Sequence, residues 1–368
     1  MLYFPERDNQ RRIPTEKKGH TKYGPQGLYS QASFDRLELP DELRQPLVDT
    51  ANHAICRSTW SSYKTSAKML DKCLTEHGEV LTLPISQRQT TLFIAWLLKR
   101  NLSTSTIQTY ISGIKTLHLV QGVTPPTIRT PFLHHVLVGK QNQEMIKKRE
   151  GVHRTRLPMT QASMKLLKKE LLTSNLNNFD RSCYWATATI ALAGGFRISE
   201  LLCPAPHTFD PNFSLLHKDI KLITSESPRC IQITLRREKT NKTHLSTVVD
   251  IFESKSDICP YRAISKYFTL NTDSQENLPA FRLSTGANFT SRMLNAFIKD
   301  KLNPHVRVNG YLSGHSFRSG LCSILGSAGF NDDELKSAGR WSSSAFEFYS
   351  KLPRMQRRKL AKNISNIL

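Results

Sequence analysis

Apolar residues recur at helical spacing through the first half of the chain. The clearest run begins at Ser103, after which isoleucine, tyrosine and leucine side chains follow every three or four positions. A second run begins at Ser58, and two more cover residues 90–100 and 132–148. Glycine and proline interrupt the pattern between runs, as they do at helix ends. The pattern therefore predicts a small all-helical domain over residues 41–146.

The second half combines helical patterns with a short β-rich stretch. Thr160 is a candidate N-cap, a further helical run covers residues 180–193, and helical patterns resume at Pro260. These features predict a mainly α domain with a small antiparallel β-sheet over residues 159–351. The three β-rich runs are 216–223, 230–235 and 245–252.

The remaining segments have the composition of arms and linkers. Residues 1–40 are rich in Pro, Gly, Gln and charge, which predicts a flexible N-terminal arm. Residues 147–158 form a basic linker, which either lies along a phosphate backbone or is merely solvated. Residues 352–368 mix basic and apolar positions and predict a C-terminal basic helix or tail. The candidate DNA-binding residues in the linker are Lys147, Lys148, Arg149, Arg154 and Arg156.

The charge balance points to a polyanionic partner. The 368 residues include 52 Lys and Arg against 30 Asp and Glu, a formal charge of +22, and both predicted domains are basic. This excess is far more than solubility requires, so we expect double-stranded DNA as the partner. An anionic membrane surface is disfavoured, because we find no amphipathic Lys-rich helix with exposed aromatic residues.

Cysteine usage and apolar run lengths exclude several other classes of protein. The seven cysteines are an odd number without any C-x-x-C pair, which argues against a disulfide framework and a zinc module. No apolar run reaches the ~18 residues of a membrane span, and the N-terminus lacks a secretory signal. Phosphate-loop, dinucleotide-binding and metal-ligand motifs are missing. We therefore expect neither cofactor nor metal, and location in the cytosol or nucleus.

Residues suited to phosphate chemistry follow one another in a fixed order. Residues 312–351 contain Gly-His-Ser-Phe-Arg, then Gly-Arg-Trp, then a tyrosine eight residues after the tryptophan. Gly-Phe-Arg-Ile-Ser-Glu lies far upstream, at residues 195–200. The H-x-x-R pair alone has little weight, since it occurs again at His153 and Arg156. The order of the whole set is the informative feature.

That ordered set resembles the tyrosine recombinases, or phage integrases, and its Gly-Arg-Trp-Ser-Ser wording is most similar to recombinases of eukaryotic Crypton and DIRS-like mobile elements. The resemblance implies a helical core-binding domain and a catalytic domain that form a C-shaped clamp around DNA. It also implies a dimer on one DNA site and a tetramer in synapsis, in the nucleus of a eukaryotic host. In such enzymes a C-terminal helix passes to a neighbouring protomer, and the alternative here is a final helix packed on its own chain.

The same resemblance assigns a role to each residue of the set. Arg197 and Arg318 would hold the phosphate with His315, Glu200 would orient one of these groups, and Tyr349 would be the nucleophile. Lys239 would be the general acid on a β-hairpin, with Lys242 as the alternative. Trp341 takes the position at which family members carry His or Trp. Several of these residues also have a purely structural interpretation. Arg197 and Glu200 could form an ion pair, and Trp341 and Tyr349 could be core residues.

The predicted function is site-specific DNA recombination through a 3′-phosphotyrosine, for integration or excision of a mobile element. Two alternatives share much of the sequence evidence. One is a domesticated recombinase that binds DNA without cutting it. The other is a DNA-relaxing enzyme similar to type IB topoisomerases, which acts as a monomer.

Overall fold

A computed structural model gives the fold of two compact units, Met1–Glu150 and Gly151–Leu368. The predicted N-terminal arm lies almost wholly outside the residues it describes, as do Lys239, Lys242, Trp341, Tyr349 and most of the C-terminal tail. The described residues are 39–52, 54–55, 57–126, 130–151, 154–236, 246–271, 275–340 and 362–365.

The first unit is built from helices, as the apolar pattern predicts. Ser103 is the N-cap of the fourth helix, because its side chain accepts a hydrogen bond from the Thr106 N–H at 3.2 Å. The helices are α1 Asp41–Asn52, α2 Arg57–Glu76, α3 Gln87–Lys99, α4 Thr104–Val120 and α5 Pro131–Arg149.

The core of the first unit forms where α2, α3 and α4 pack together. Helices α2 and α4 approach closely, since a Cβ on Gly113 would lie 2.5 Å from the Ser66 hydroxyl oxygen. Burying each large apolar side chain contributes roughly 1.5–3 kcal/mol, so the shared core holds these helices together. Its completely buried members include Leu70, Leu74, Phe93, Leu97 and Ile107.

The second unit is mainly helical, with two small sheets. Its helices are α6 Gln161–Thr173, α7 Asn178–Ala193, α8 Ile198–Leu201, α9 Pro260–Leu270, α10 Ser291–Phe297, α11 His315–Ser327 and α12 Asp332–Gly339. Its strands are β1 Thr155–Arg156, β2 Ile220–Ile223, β3 Cys230–Leu235, β4 Thr247–Phe252 and β5 Gly310–Tyr311.

The antiparallel sheet has the order β2-β3-β4, with Ile220 opposite Ile233 and Cys230 opposite Phe252. The mainly α fold with a small antiparallel sheet is thus confirmed. Strand β2 begins later than the sequence predicts, because 216–219 forms a turn. There the Asp219 carboxylate accepts the Leu216 N–H at 2.9 Å, which gives this backbone a local alternative to the strand.

Helix α7 runs through the core of the second unit. Nearly every residue after its first turn is buried, and alanines at 186, 188, 191 and 193 allow neighbouring elements to approach. Helices α9 and α11 both contact it. Since a fully buried helix is fixed along its whole length, its C-terminal end at Gly194 is a rigid place from which to build a site.

Part of the basic linker belongs to secondary structure. Helix α5 continues through Arg149, and β1 pairs in parallel with β5, with Thr155 opposite Gly310. The Arg154 guanidinium donates two hydrogen bonds to the Gly310 carbonyl, at 2.6 and 3.0 Å. The end of this stretch is therefore fixed to the second unit.

The described part of the C-terminal tail, residues 362–365, is a helical turn packed on its own chain. Ile364 joins the core of the second unit, and the Ser365 hydroxyl donates to the Phe252 carbonyl at 2.7 Å. Within the described ranges, no helix has both the length and the hydropathy to cross a membrane.

A buried histidine in the first unit gives a test of this packing. His118 is fully buried: one ring nitrogen donates to the Ile114 carbonyl at 2.8 Å, and the other accepts the Ile85 N–H at 3.1 Å. Burial lowers its pKa. Because the folded pKa lies below the unfolded value near 6.5, the stabilisation is complete above about pH 6.5 and is lost as pH falls toward the folded pKa.

We therefore expect acid to destabilise the protein partly through His118, by at most about 1.4 kcal/mol per pH unit. Thermal unfolding of the wild type and His118→Gln at several values between pH 7.5 and 5 measures the effect. The variant should be less stable at neutral pH and should lose less stability on acidification. Equal losses in the two proteins would contradict the interpretation.

Candidate active site

The site begins where α7 ends at Gly194 and Gly195. Gly195 has a φ of +56°, its N–H donates to the Leu192 carbonyl at 3.2 Å, and the Phe196 N–H donates to the Ala191 carbonyl at 3.1 Å. This is a Schellman motif, which ends a helix with a left-handed residue. The reversal places Arg197 directly beside the end of the buried helix.

Arg197 and Glu200 form an ion pair across the start of α8. The Arg197 Nη1 donates to Glu200 Oε1 at 2.8 Å, and its backbone N–H donates to Oε2 at 2.9 Å. The glutamate side chain is 4% exposed and the arginine side chain 15%. Among the described residues, Glu200 is the only acceptor for this guanidinium, so its other nitrogens can bind a ligand.

Arg318 reaches the same place from α11. It is 6% exposed, and its Nη1 donates to the Gly195 carbonyl at 2.8 Å. Helix α11 is fixed by a close approach at Gly320, where a Cβ would lie 2.2 Å from the Met159 carbonyl oxygen. The Met159 N–H in turn donates to the Ser316 carbonyl at 2.8 Å.

Arg340 is a member of the cluster that the sequence analysis missed. It is the C-cap of α12, and its Nη1 and Nη2 donate to the Gly194 carbonyl at 2.7 Å and to Glu200 Oε2 at 2.9 Å. Its guanidinium lies 4.4 Å from the Phe196 ring centre, and its carbonyl accepts Arg318 Nη2 at 3.2 Å. The available signal was its place in Gly-Arg-Trp, just after a predicted helix.

The cluster carries excess positive charge. The Glu200 carboxylate accepts from Arg197 and Arg340 and interacts electrostatically with Arg318. Arg318 and Arg340 both donate to carbonyls at the C-terminal end of α7, which is the negative end of the helix dipole. The pKa of Arg318 is lowered to about 10, chiefly by burial and then by the charges of Arg197 and Arg340, while Glu200 opposes the shift. Arg318 is therefore still charged at neutral pH, in a place suited to an anion.

His315 is the first residue of α11, one turn before Arg318, and is exposed. The start of this helix lies against α8: a Cβ on Gly314 would be 2.7 Å from Ile198 Cγ1, and the Gly314 N–H donates to Asn295 Oδ1 at 2.8 Å. His315 therefore stands at the accessible end of the helix that carries Arg318.

The predicted residues Lys239, Trp341 and Tyr349 lie outside the described part of the chain, but the elements that lead to them are fixed. Arg236, just after β3, makes a bidentate ion pair with the buried Asp219, at 2.7 and 2.8 Å. Arg340 immediately precedes Trp341. The chain thus enters each of these two segments from an anchored arginine.

The structure describes the side chains of four of the five basic linker residues. Lys147 and Arg149 are exposed in the last turn of α5, and Arg156 is exposed in β1. Arg154 is engaged with Gly310 as described above. The side chain of Lys148 lies outside the described residues. No group of three or more potential metal ligands occurs among the residues whose placement is described.

Comparison with known proteins identifies the fold. No protein-family model and no curated protein matches the sequence. A post-cleavage complex of the XerH site-specific recombinase with palindromic difH substrate is similar over 89% of this chain and 85% of its own, at 12% identity and a TM-score of 0.54. The XerH pre-cleavage complex with difH substrate is similar over 94% of this chain and 91% of its own, at 11% identity and a TM-score of 0.52. A lambda integrase (75–356) dimer bound to a COC′ core site is similar over 87% of this chain and 93% of its own, at 13% identity and a TM-score of 0.52.

The chain therefore has the fold of tyrosine recombinases, as the sequence resemblance implied. At this identity the likeness concerns the fold.

The Schellman motif provides a test of how the cluster is built. Alanine at Gly195 would be strained by the positive φ and would also place its Cβ 2.8 Å from Leu321. Gly329 is a matched control, since its φ is +82° and nothing lies within 4 Å of its Cβ position. We expect Gly329→Ala to cost about 1 kcal/mol and Gly195→Ala about 2–4 kcal/mol in chemical denaturation. Equal costs would show that Leu321 moves aside freely.

Proposed function

We propose that this chain is a tyrosine recombinase that cuts and rejoins DNA at specific sites through a 3′-phosphotyrosine on Tyr349. The observation that carries the proposal is the Arg197–Glu200–Arg318 cluster at the end of α7, in the fold of DNA-bound recombinases. A positive, partly accessible cluster of planar guanidinium groups suits one phosphate of a DNA backbone.

The arginines suit the transition state of phosphoryl transfer. Attack on a phosphodiester adds negative charge to the non-bridging oxygens, and preorganised cations stabilise that charge best. Planar guanidinium groups present paired donors to such oxygens, which a lysine cannot do. In this proposal Glu200 holds Arg197 in place, and the carbonyls of α7 hold Arg318.

The remaining roles rest on the order of residues in the sequence. Tyr349 attacks phosphorus, and the P–O5′ bond breaks to leave a 3′-phosphotyrosine and a 5′-hydroxyl. Lys239, or Lys242, gives a proton to the departing 5′-oxygen, while His315 assists proton transfer at the phosphate. Trp341 donates its indole N–H and packs near the nucleophile. The reverse reaction rejoins the strand, so no external energy source is needed.

Assembly and biological setting are part of the same proposal. The helical domain and the catalytic domain would close as a C-shaped clamp on DNA, with Lys147, Lys148, Arg149, Arg154 and Arg156 along the phosphate backbone. One dimer would occupy each site and a tetramer would form the synapse. The Gly-Arg-Trp wording favours a Crypton-like or DIRS-like mobile element acting in a nucleus.

A covalent adduct tests the chemistry. A suicide DNA substrate carrying the cognate site should become linked to the wild type, and Tyr349→Phe should yield no adduct while binding the same DNA. Denaturing gel electrophoresis with labelled DNA detects the linkage. If wild type bound cognate DNA without an adduct, the domesticated DNA-binding alternative would replace the enzyme. Relaxation of supercoiled plasmid by a monomer, without pairing of sites, would favour the topoisomerase-like alternative.

Two sets of substitutions should separate catalysis from DNA binding. Arg318→Ala removes donors that act in the transition state, so we expect cleavage to fall by about 10²–10³-fold with little change in DNA affinity. Neutralising Lys147 and Arg149 together should weaken binding about equally on all sequences and reduce the slope of affinity against salt by about two. The measurements are single-turnover cleavage and binding titrations at several salt concentrations. Equal losses of cleavage and binding in both sets would contradict the assignment.

A further inference from the structure

Arg340 has a backbone conformation that disfavours its residue type. Its φ is +51° and its ψ is +47°, in the left-handed region. Among the described residues, only Asn101 shares a positive φ without being glycine, and asparagine tolerates it well. For arginine the conformation costs roughly 1–2 kcal/mol relative to the usual helical one. Such strain persists only where the surrounding contacts determine it.

The side chain and the backbone carbonyl of Arg340 contact three other helices, α7, α8 and α11. The guanidinium binds the Gly194 carbonyl at the end of α7 and the Glu200 carboxylate on α8, and it faces the Phe196 ring. The Arg340 carbonyl accepts a hydrogen bond from Arg318 on α11. In this left-handed conformation Arg340 ends α12. Its side chain binds Gly194 and Glu200, and its carbonyl binds Arg318.

We propose that Arg340 is a positioning residue for DNA cleavage, an inference that rests on the proposed function. It fixes the Glu200 carboxylate that holds Arg197, and its carbonyl fixes one nitrogen of Arg318. It also fixes the point at which the chain departs toward Trp341 and Tyr349. Arg340 thereby sets the geometry of both phosphate-binding arginines relative to the start of the nucleophile's segment.

The chemistry of the side chain explains why arginine occupies a position that glycine would fill without strain. The two Arg340 nitrogens serve a carbonyl and a carboxylate at once, and the flat guanidinium stacks over Phe196. Lysine has one nitrogen and no planar face, so it would reproduce the charge without the fixed geometry. Glycine would relieve the strain and remove all three contacts.

The test compares Arg340→Gly and Arg340→Lys with the wild type in single-turnover cleavage of a suicide substrate, with DNA affinity measured separately. We expect Arg340→Gly to lose about 10²-fold or more in rate, as removal of a preorganised group does, with affinity changed less than about threefold. Arg340→Lys should be intermediate. Added guanidinium ion should restore part of the rate in the glycine variant, whereas sodium chloride at equal ionic strength should not.

Arg307→Gly is the matched control, because it removes an exposed arginine from the same unit outside the cluster. It should keep the wild-type rate on bound DNA. Thermal unfolding distinguishes a purely structural role of Arg340 from a positioning role. If Arg340→Gly lowered the unfolding temperature but cleaved bound DNA at the wild-type rate, the positioning role would be overturned. Loss of rate without any recovery by guanidinium, in step with loss of stability, would overturn it too.

A second readout does not require cleavage. Tungstate, a tetrahedral oxyanion of phosphate-like shape, should bind the arginine cluster of the wild type about tenfold or more tightly than that of Arg340→Gly in calorimetric titration. If wild type formed no covalent adduct, the proposed function would fail, and this titration would still decide the inference. Weaker tungstate binding by the variant would support Arg340 as the residue that positions the anion site, and equal binding would overturn that role.

Discussion

The Glu200 carboxylate, held between the guanidinium groups of Arg197 and Arg340, is the interaction on which the site depends. Like charges repel strongly where water is largely excluded, so three neighbouring arginines are stable only with anionic or dipolar partners. Within the described ranges, Glu200 supplies the full negative charge that pairs with them. The carbonyls at the end of α7 supply the partial ones, at Gly194 and Gly195. The balance remains positive, which is the property that a phosphate-binding site needs.

This balance is possible because of how α7 is packed. Its small and apolar side chains bury it along its length, so its carbonyl end cannot move to accommodate the arginines. The glycine pair then turns the chain within two residues and delivers Arg197 beside that end. Helix α11 is held equally tightly through Gly320 and the Met159 backbone. The cluster thus lies where rigid elements pack together, and its arginines are preorganised before a ligand binds.

Sequence patterns predicted the features that depend on periodicity or on chain order. The helix after Ser103, the buried α7 and strands β3 and β4 all carry clear repeats of apolar residues, and the ordered Arg, His and Arg residues lie on elements that meet. Such patterns could not predict the features that depend on tertiary contacts. The β1–β5 pair is two residues long, too short for periodicity, and the turn before β2 depends on one carboxylate.

Arg340 and Arg154 illustrate the same limit at single residues. Both looked like members of basic stretches or motifs, and only the folded chain shows which carbonyls and carboxylates their guanidinium groups reach. A long, many-donor side chain can satisfy distant partners, so its neighbours in sequence say little about its contacts. Local patterns therefore predict elements better than they predict which arginines share a site.

The packed turn at residues 362–365 limits the distance of Tyr349 from the second unit. Arg340 is anchored in the cluster, and Ile364 is anchored in the core beside Phe252. Tyr349 stands nine positions after Arg340, so covalent geometry keeps it within about 30 Å of that residue, at 3.3–3.6 Å per residue. Ile364 stands fifteen positions after Tyr349, so the same geometry keeps Tyr349 within about 50 Å of that core residue. The two anchors, Arg340 and Ile364, therefore set an upper limit to the distance between Tyr349 and the second unit of its own chain.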